Sequence, residues 1–113
     1  MKINSELMKG STPLLLMKLL SRRDMYGYEM IKTLEILSKD TFHLKQGSLY
    51  PILHSLEEDG YVTSYWEETK SDRKKKYYHI TAKGKERFDC LIAEWETYSK
   101  SIGMILDWEN AYE

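Results

Sequence analysis

A short helix of apolar period, a basic hairpin directly after it and a long amphipathic helix at the chain's end predict a mainly α protein with a small β-hairpin. That combination is a winged helix-turn-helix, expected over residues 1–80, followed by a long C-terminal dimerisation helix over 81–113. The helix-and-hairpin part lies between Leu44 and Tyr78. A helix that can enter a groove and a cationic hairpin that can reach phosphates describe a reader of duplex DNA.

The first helix is expected within about residues 5–21, with Leu7, Leu14, Leu16, Met17 and Leu20 on its apolar face. Pro13 fits the first turn after a Ser11 or Thr12 cap, or else kinks a longer helix that starts near Ser5. The second helix runs from about Gly27 to Lys39, with Tyr28, Ile31, Leu34 and Ile36 or Leu37 at helical spacing. Ser38 to Phe42 form the short link to the third helix, which sets the two at the angle a helix-turn-helix requires.

In the third helix Leu49, Ile52, Leu53 and Leu56 follow the i, i+3, i+4, i+7 pattern of one buried face. The opposite face carries Gly47, Tyr50, Pro51 and His54. Helix interiors disfavour glycine by about 1 kcal/mol and proline by more, so a face that tolerates both suits close approach to a partner. Gly60 is placed to end the helix as its C′ residue. The aromatic and β-branched runs 61–66 and 76–80 read as strands, and Glu67 to Lys75 as a polar tip between them.

Thr81 caps the last helix, expected from about Ala82 to Trp108 or beyond. At 1.5 Å per residue it is roughly 40 Å long, more than so small a body can cover. Phe88, Leu91, Ile92, Trp95, Tyr98, Ile102, Ile105 and Leu106 share one arc, with Asp89, Glu96, Lys100 and Asp107 opposite. A second copy of the chain is the economical partner for that arc, giving a two-fold homodimer. The alternative is that the helix folds back on its own domain. Met104 and Trp108 lie off the arc and leave room for a second contact.

Composition bounds the function. The 113 residues allow one modest core, and the formal net charge is −1. The charge is segregated: residues 1–87 hold 16 basic and 12 acidic side chains, whereas 88–113 hold one, Lys100, against six acids. One part therefore suits phosphate and the other avoids it. Cys90 is the sole cysteine, which rules out an intrachain disulfide. The apolar run Leu14 to Met17 is far short of the about 20 residues of a membrane span, and the N-terminus lacks the pattern of a signal peptide. A cytoplasmic protein without membrane contact is expected. His43, His54 and His79 are scattered and show no zinc spacing, and no phosphate loop or nucleophile elbow is present. Neither an enzyme nor a bound cofactor is expected.

The candidate DNA contacts are Gln46, which can pair with adenine through two hydrogen bonds, together with Ser48, Tyr50 and His54. Gly47 lets the helix N-terminus approach a phosphate. On the hairpin, Lys70, Arg73, Lys74, Lys75 and Lys76 can straddle the backbone, with Arg73 able to enter a narrow minor groove. Solvated polar faces are the bland readings of both. Trp95, in the middle of the arc, could pair with its symmetry mate to sandwich a small aromatic effector, or serve in packing alone. The rival from another class is a winged-helix protein-interaction module that does not bind DNA, against which the wing's excess of cations speaks.

Taken in order, Tyr26-Gly27-Tyr28-Glu29, Gly47-Ser48-Leu49-Tyr50-Pro51-Ile52-Leu53, Leu56-Glu57-Glu58-Asp59-Gly60-Tyr61-Val62, Arg73-Lys74-Lys75-Lys76-Tyr77-Tyr78 and Ile80-Thr81-Ala82-Lys83-Gly84 give the sequence its family likeness. It resembles the PadR family of bacterial transcriptional regulators, and the likeness runs over nearly the whole chain. The resemblance implies a single C-terminal dimerisation helix, as in the short members. It also implies repression from a promoter palindrome, relieved by a small molecule. Relatives respond to phenolic acids or toxic aromatic compounds, and some hold flat drugs between paired tryptophans at the position that Trp95 matches. The chain departs from the family at Lys45 and Gln46, where many members begin the third helix with Ser-Pro, and at Pro13.

Overall fold

The computed structural model describes residue 1 and residues 3–68 and 73–112, with no side chains described at 111 and 112. Among the described residues nine elements follow one another: α1 (Ser5–Lys9), α2 (Thr12–Arg22), β1 (Met25–Tyr26), α3 (Gly27–Leu37), α4 (Gln46–Glu58), β2 (Val62–Glu68), β3 (Lys74–Ile80), α5 (Ala82–Leu106) and α6 (Trp108–Tyr112).

The expected first helix is two helices. The hydroxyls of Ser11 and Thr12 donate to the Met8 carbonyl at 2.9 and 3.1 Å, closing α1. Pro13 then sits in the first turn of α2, where its missing N–H costs nothing. In α3 the buried stripe is Gly27, Met30, Ile31 and Leu34, again i, i+3, i+4, i+7, whereas Tyr28, Ile36 and Leu37 are exposed. The expected apolar face of this helix is thus rotated, because its first member is a glycine that no hydropathy pattern marks.

β1, which the sequence reading lacks, pairs antiparallel with β3 and makes the sheet three-stranded in the order β1-β3-β2. The β2–β3 ladder runs from Val62↔Ile80 to Glu68↔Lys74. Both strands are longer than expected: Glu67, Glu68, Lys74 and Lys75 belong to the ladder and not to the tip. One sheet face turns Met25, Val62, Tyr78 and Ile80 into the core, where Leu16, Met17, Met30, Leu49 and Leu53 are fully buried. Each such side chain contributes about 1.5–3 kcal/mol through loss of contact with water.

Thr81 caps α5 by accepting the Gly84 N–H at 3.0 Å. Gly84 is held so close to β2 that a Cβ there would lie 2.0 Å from the Tyr61 carbonyl oxygen. Phe88 is buried in the core, with Leu91 and Ile92 packed at its edge. Beyond them α5 leaves the body, and the molecule measures 65 × 31 × 21 Å. The helix ends at Leu106, and α6 follows after Asp107.

Candidate nucleic-acid interface

The buried side of α4 is Leu49, Leu53 and Leu56, so its other side turns outward. Gln46, Gly47, Ser48, Tyr50, Pro51 and His54 are all exposed. The first N–H groups of the helix have no partners within it and point at whatever approaches that end. At Gly47 a Cβ would meet nothing within 4 Å, so the backbone itself is the surface there.

Two of these side chains are engaged. The Tyr50 phenol lies against the start of α3, where a Cβ on Gly27 would come within 2.5 Å of its hydroxyl oxygen. Gly27 and Tyr50 are therefore a matched pair, one making the space that the other fills, and they lock α4 to α3. His54 Nε2 meets Glu58 Oε1 at 2.8 Å, one turn further along the helix. A base contact from His54 requires that pair to open.

The hairpin stands beside α4, and the Ser64 hydroxyl donates to Glu57 Oε2 at 2.6 Å, tying β2 to the last turn of α4. The cations of the wing are less free than the sequence suggests. Lys74 and Lys75 face Glu68 and Glu67 directly across the ladder. The two glutamates therefore stand beside the lysines at neighbouring register positions. The Lys75 ammonium lies 4.1 Å from the centroid of Tyr26, and that of Lys76 5.7 Å from Tyr78. Arg73 and Lys74 are exposed at the outer end of the hairpin, whereas Lys70 lies outside the described residues.

On the outer face of the sheet Tyr26, Tyr77 and Tyr65 form a row, with ring centroids 5.5 and 5.8 Å apart. Asp24 closes its end: Tyr65 donates to Oδ2 at 2.7 Å, and His79 Nδ1 meets Oδ1 at 2.8 Å. Burial pushes the Asp24 carboxyl up, but the hydrogen bonds from Tyr65 and His79 and the charge of His79 outweigh it and leave it below its ordinary value. The same hydrogen bond to Asp24 pushes the Tyr65 phenol up to about 12. Burial raises Tyr78, with Glu57 and Tyr50 nearby adding to it.

The apolar arc of α5 divides in two. Phe88 is buried in its own chain's core, and Leu91 and Ile92 are partly buried against it. Trp95, Tyr98, Ile102, Ile105 and Leu106 are exposed, as are Met104 and Trp108. Trp95, Tyr98 and Ile102 border an open groove of about 720 Å³ whose other walls include Leu7, Leu14 and Phe42. No helix is long and apolar enough to cross a membrane, and no cluster of metal-ligating side chains occurs, both among the described residues.

The contacts that the sequence did not foresee are those of Asp24, the Gly27–Tyr50 pair and the Ser64–Glu57 pair. Gly27 stands in the motif Tyr26-Gly27-Tyr28-Glu29, but nothing there pairs it with Tyr50. Asp24 had no signal, because its partners are 41 and 55 residues away.

A helix-turn-helix whose second helix is flanked by a basic hairpin defines a winged-helix regulator. The model of the transcriptional regulator PadR-like family matches residues 16–89. A solved transcriptional regulator from Clostridium thermocellum superposes with a TM-score of 0.82 at 31% identity, over 88% of this chain and 97% of that one. A PadR-like transcriptional regulator from Bacillus cereus gives 0.77 at 28% identity, over 90% and 97%. The transcriptional regulator YqjI of Escherichia coli is 37% identical over 52% of this chain, which spans only 28% of that protein. The chain belongs to the PadR-like family of transcriptional regulators, and it is a regulator and not an enzyme.

Proposed function

We propose that this chain is a ligand-responsive repressor that binds a palindromic operator as a homodimer in the cytoplasm. The observation that carries this reading is the pairing of an outward α4 face with an adjoining cationic wing, the two tied together by Ser64 and Glu57. Gln46 and Ser48 read the major groove, Gly47 brings the helix N-terminus to a phosphate, and Arg73 to Lys76 hold the flanking backbone. The uncovered apolar stretch from Trp95 to Leu106 joins two copies, which sets two recognition helices about one turn of DNA apart.

The groove beside Trp95 supports the effector part of the reading. Its volume is in the range of small-molecule sites, and its walls are mainly apolar and aromatic, with Glu6 and Glu94 among them. Phe42 lines it and lies in the link that leads into α4, so an occupant presses on the segment that positions the recognition helix. Binding of labelled promoter DNA, followed by anisotropy with and without a planar aromatic dye, tests the whole scheme. The dye should quench Trp95 and release DNA over one concentration range, and Trp95→Ala should abolish both effects, whereas Trp66→Phe and Trp108→Phe should not. Salt-insensitive or absent duplex binding would favour a protein-interaction module instead.

A further inference from the structure

The wing is a lever with little beneath it. Its strands are seven residues each, about 20 Å long, yet only the base, at Val62, Tyr78 and Ile80, is buried. The tilt of the outer half therefore depends on what grips it midway. Asp24 does so, taking Tyr65 from β2 and His79 from β3 on one carboxylate. Its neighbour Arg23 faces the other way and ion-pairs with Glu29 in the first turn of α3. The Glu29 carboxylate in turn accepts the Tyr26 N–H at 3.4 Å. Arg23 is fully extended, at φ −169° and ψ 162°, and extended backbone sends successive side chains to opposite sides. Two adjacent residues in the link between α2 and β1 thus grip the wing with one side chain and the helix-turn-helix with the other. From α3 the chain of contacts continues through Gly27 and Tyr50 into α4.

We infer that the Arg23–Asp24 junction is a brace that fixes the attitude of the wing toward the recognition helix, with Asp24 as the positioning residue for the wing's backbone contacts. This rests on the DNA-binding reading proposed for α4 and the wing. Asp24 itself is an acid next to a phosphate-seeking surface, so two mechanisms predict opposite signs. As a brace, its loss loosens the wing and weakens binding. As a mere repelling charge, its loss tightens binding.

The test compares Asp24→Ala, Asp24→Asn and Tyr65→Phe in two readouts. Amide hydrogen exchange at 66–68 and 74–76 in the free protein should quicken in Asp24→Ala and Tyr65→Phe. Duplex affinity should fall about three- to tenfold in both, the cost of ordering a loosened segment on binding, with Asp24→Asn in between. In a Lys74→Ala, Lys75→Ala background the same substitutions should cost less, because the wing has then lost two of the four cations that the brace positions. Unchanged exchange, tighter binding of Asp24→Ala, or an undiminished cost in that background would each overturn the inference. Should Asp24→Ala not fold, Tyr65→Phe removes one hydroxyl from the same grip and decides the matter in its place. If wild-type binding shows no salt dependence, the DNA reading fails, while the exchange data still decide the brace.

Discussion

Replacing Lys74 and Lys75 together by alanine probes the wing most directly. Each ammonium that reaches a phosphate releases counterion and adds about 0.9 to the slope of log affinity against log salt, so the double variant loses about 1.8. Across a fourfold rise in salt, from about 50 to 200 mM, the wild type should then lose roughly tenfold more affinity than the variant. Glu67 and Glu68 stand directly opposite and compete for the same cations, so this figure is an upper bound. The two lysines differ in what they do for the fold. Lys75 lies 4.1 Å from the Tyr26 ring centroid, a contact worth about 0.5–1 kcal/mol, whereas Lys74 is exposed at the outer end of the ladder. Lys75→Ala should therefore lower the melting temperature by a few degrees and Lys74→Ala hardly at all. Fluorescence anisotropy on operator and scrambled duplexes across the salt range gives the slopes, and calorimetry gives the melting temperatures. A slope unchanged in the double variant on both duplexes would remove the wing from the interface.

Two glycines should respond to alanine with opposite signs. Gly84→Ala forces a Cβ to within 2.0 Å of a backbone oxygen and should abolish folding in a thermal melt, whereas Gly47→Ala meets open space and should stabilise by up to about 1 kcal/mol while weakening duplex binding. Ile102→Glu should turn a sedimenting dimer into a folded monomer, since two unpartnered carboxylates on the seam cost several kcal/mol and Ile102 lies outside the core. Tyr65 should ionise only near pH 12 by absorbance or NMR, and near its ordinary 10 in Asp24→Ala. Its raised value means that the stability it contributes is complete below about pH 10 and lost as pH rises toward 12, whereas that of Asp24, whose value is lowered, is complete above about pH 4 and lost in acid below it. Phe42→Ala should leave dye quenching of Trp95 largely in place but reduce the effect of the dye on DNA affinity, and undiminished release would show that the groove does not act through Phe42.

What the sequence made legible was local. Leu49, Leu53 and Leu56 bury one side of α4 because the 3.6-residue period needs no information from elsewhere in the chain. Thr81 begins α5 through its own side-chain hydroxyl and Gly60 follows the end of α4 through its backbone, at φ +78°. Periodicity failed where a small residue began the stripe, as Gly27 does in α3, and where an element is too short to have a period, as with β1. It also misjudged the limits of the wing, because charged residues such as Glu68 and Lys74 have low strand propensity alone but pair well across a ladder.

For the candidate site the same division has a sharper consequence. The residues of α4 and the wing were found because they form exposed polar sets in sequence, yet what fixes them lies in contacts between distant positions. Ser64 with Glu57, Tyr50 with Gly27, and Asp24 with Tyr65 and His79 each join one element to another, and together they tie the helix and the hairpin to the body. The arc on α5 follows the same logic. Its apolar spacing is uniform from Phe88 to Leu106, so no pattern could say where the core ends. Only the packing does, by burying Phe88 in its own chain and leaving Trp95 to Leu106 uncovered. One helix thus serves the core with its first turns and presents its last turns outward, and the boundary at Ile92 is set by how far the body beneath it extends.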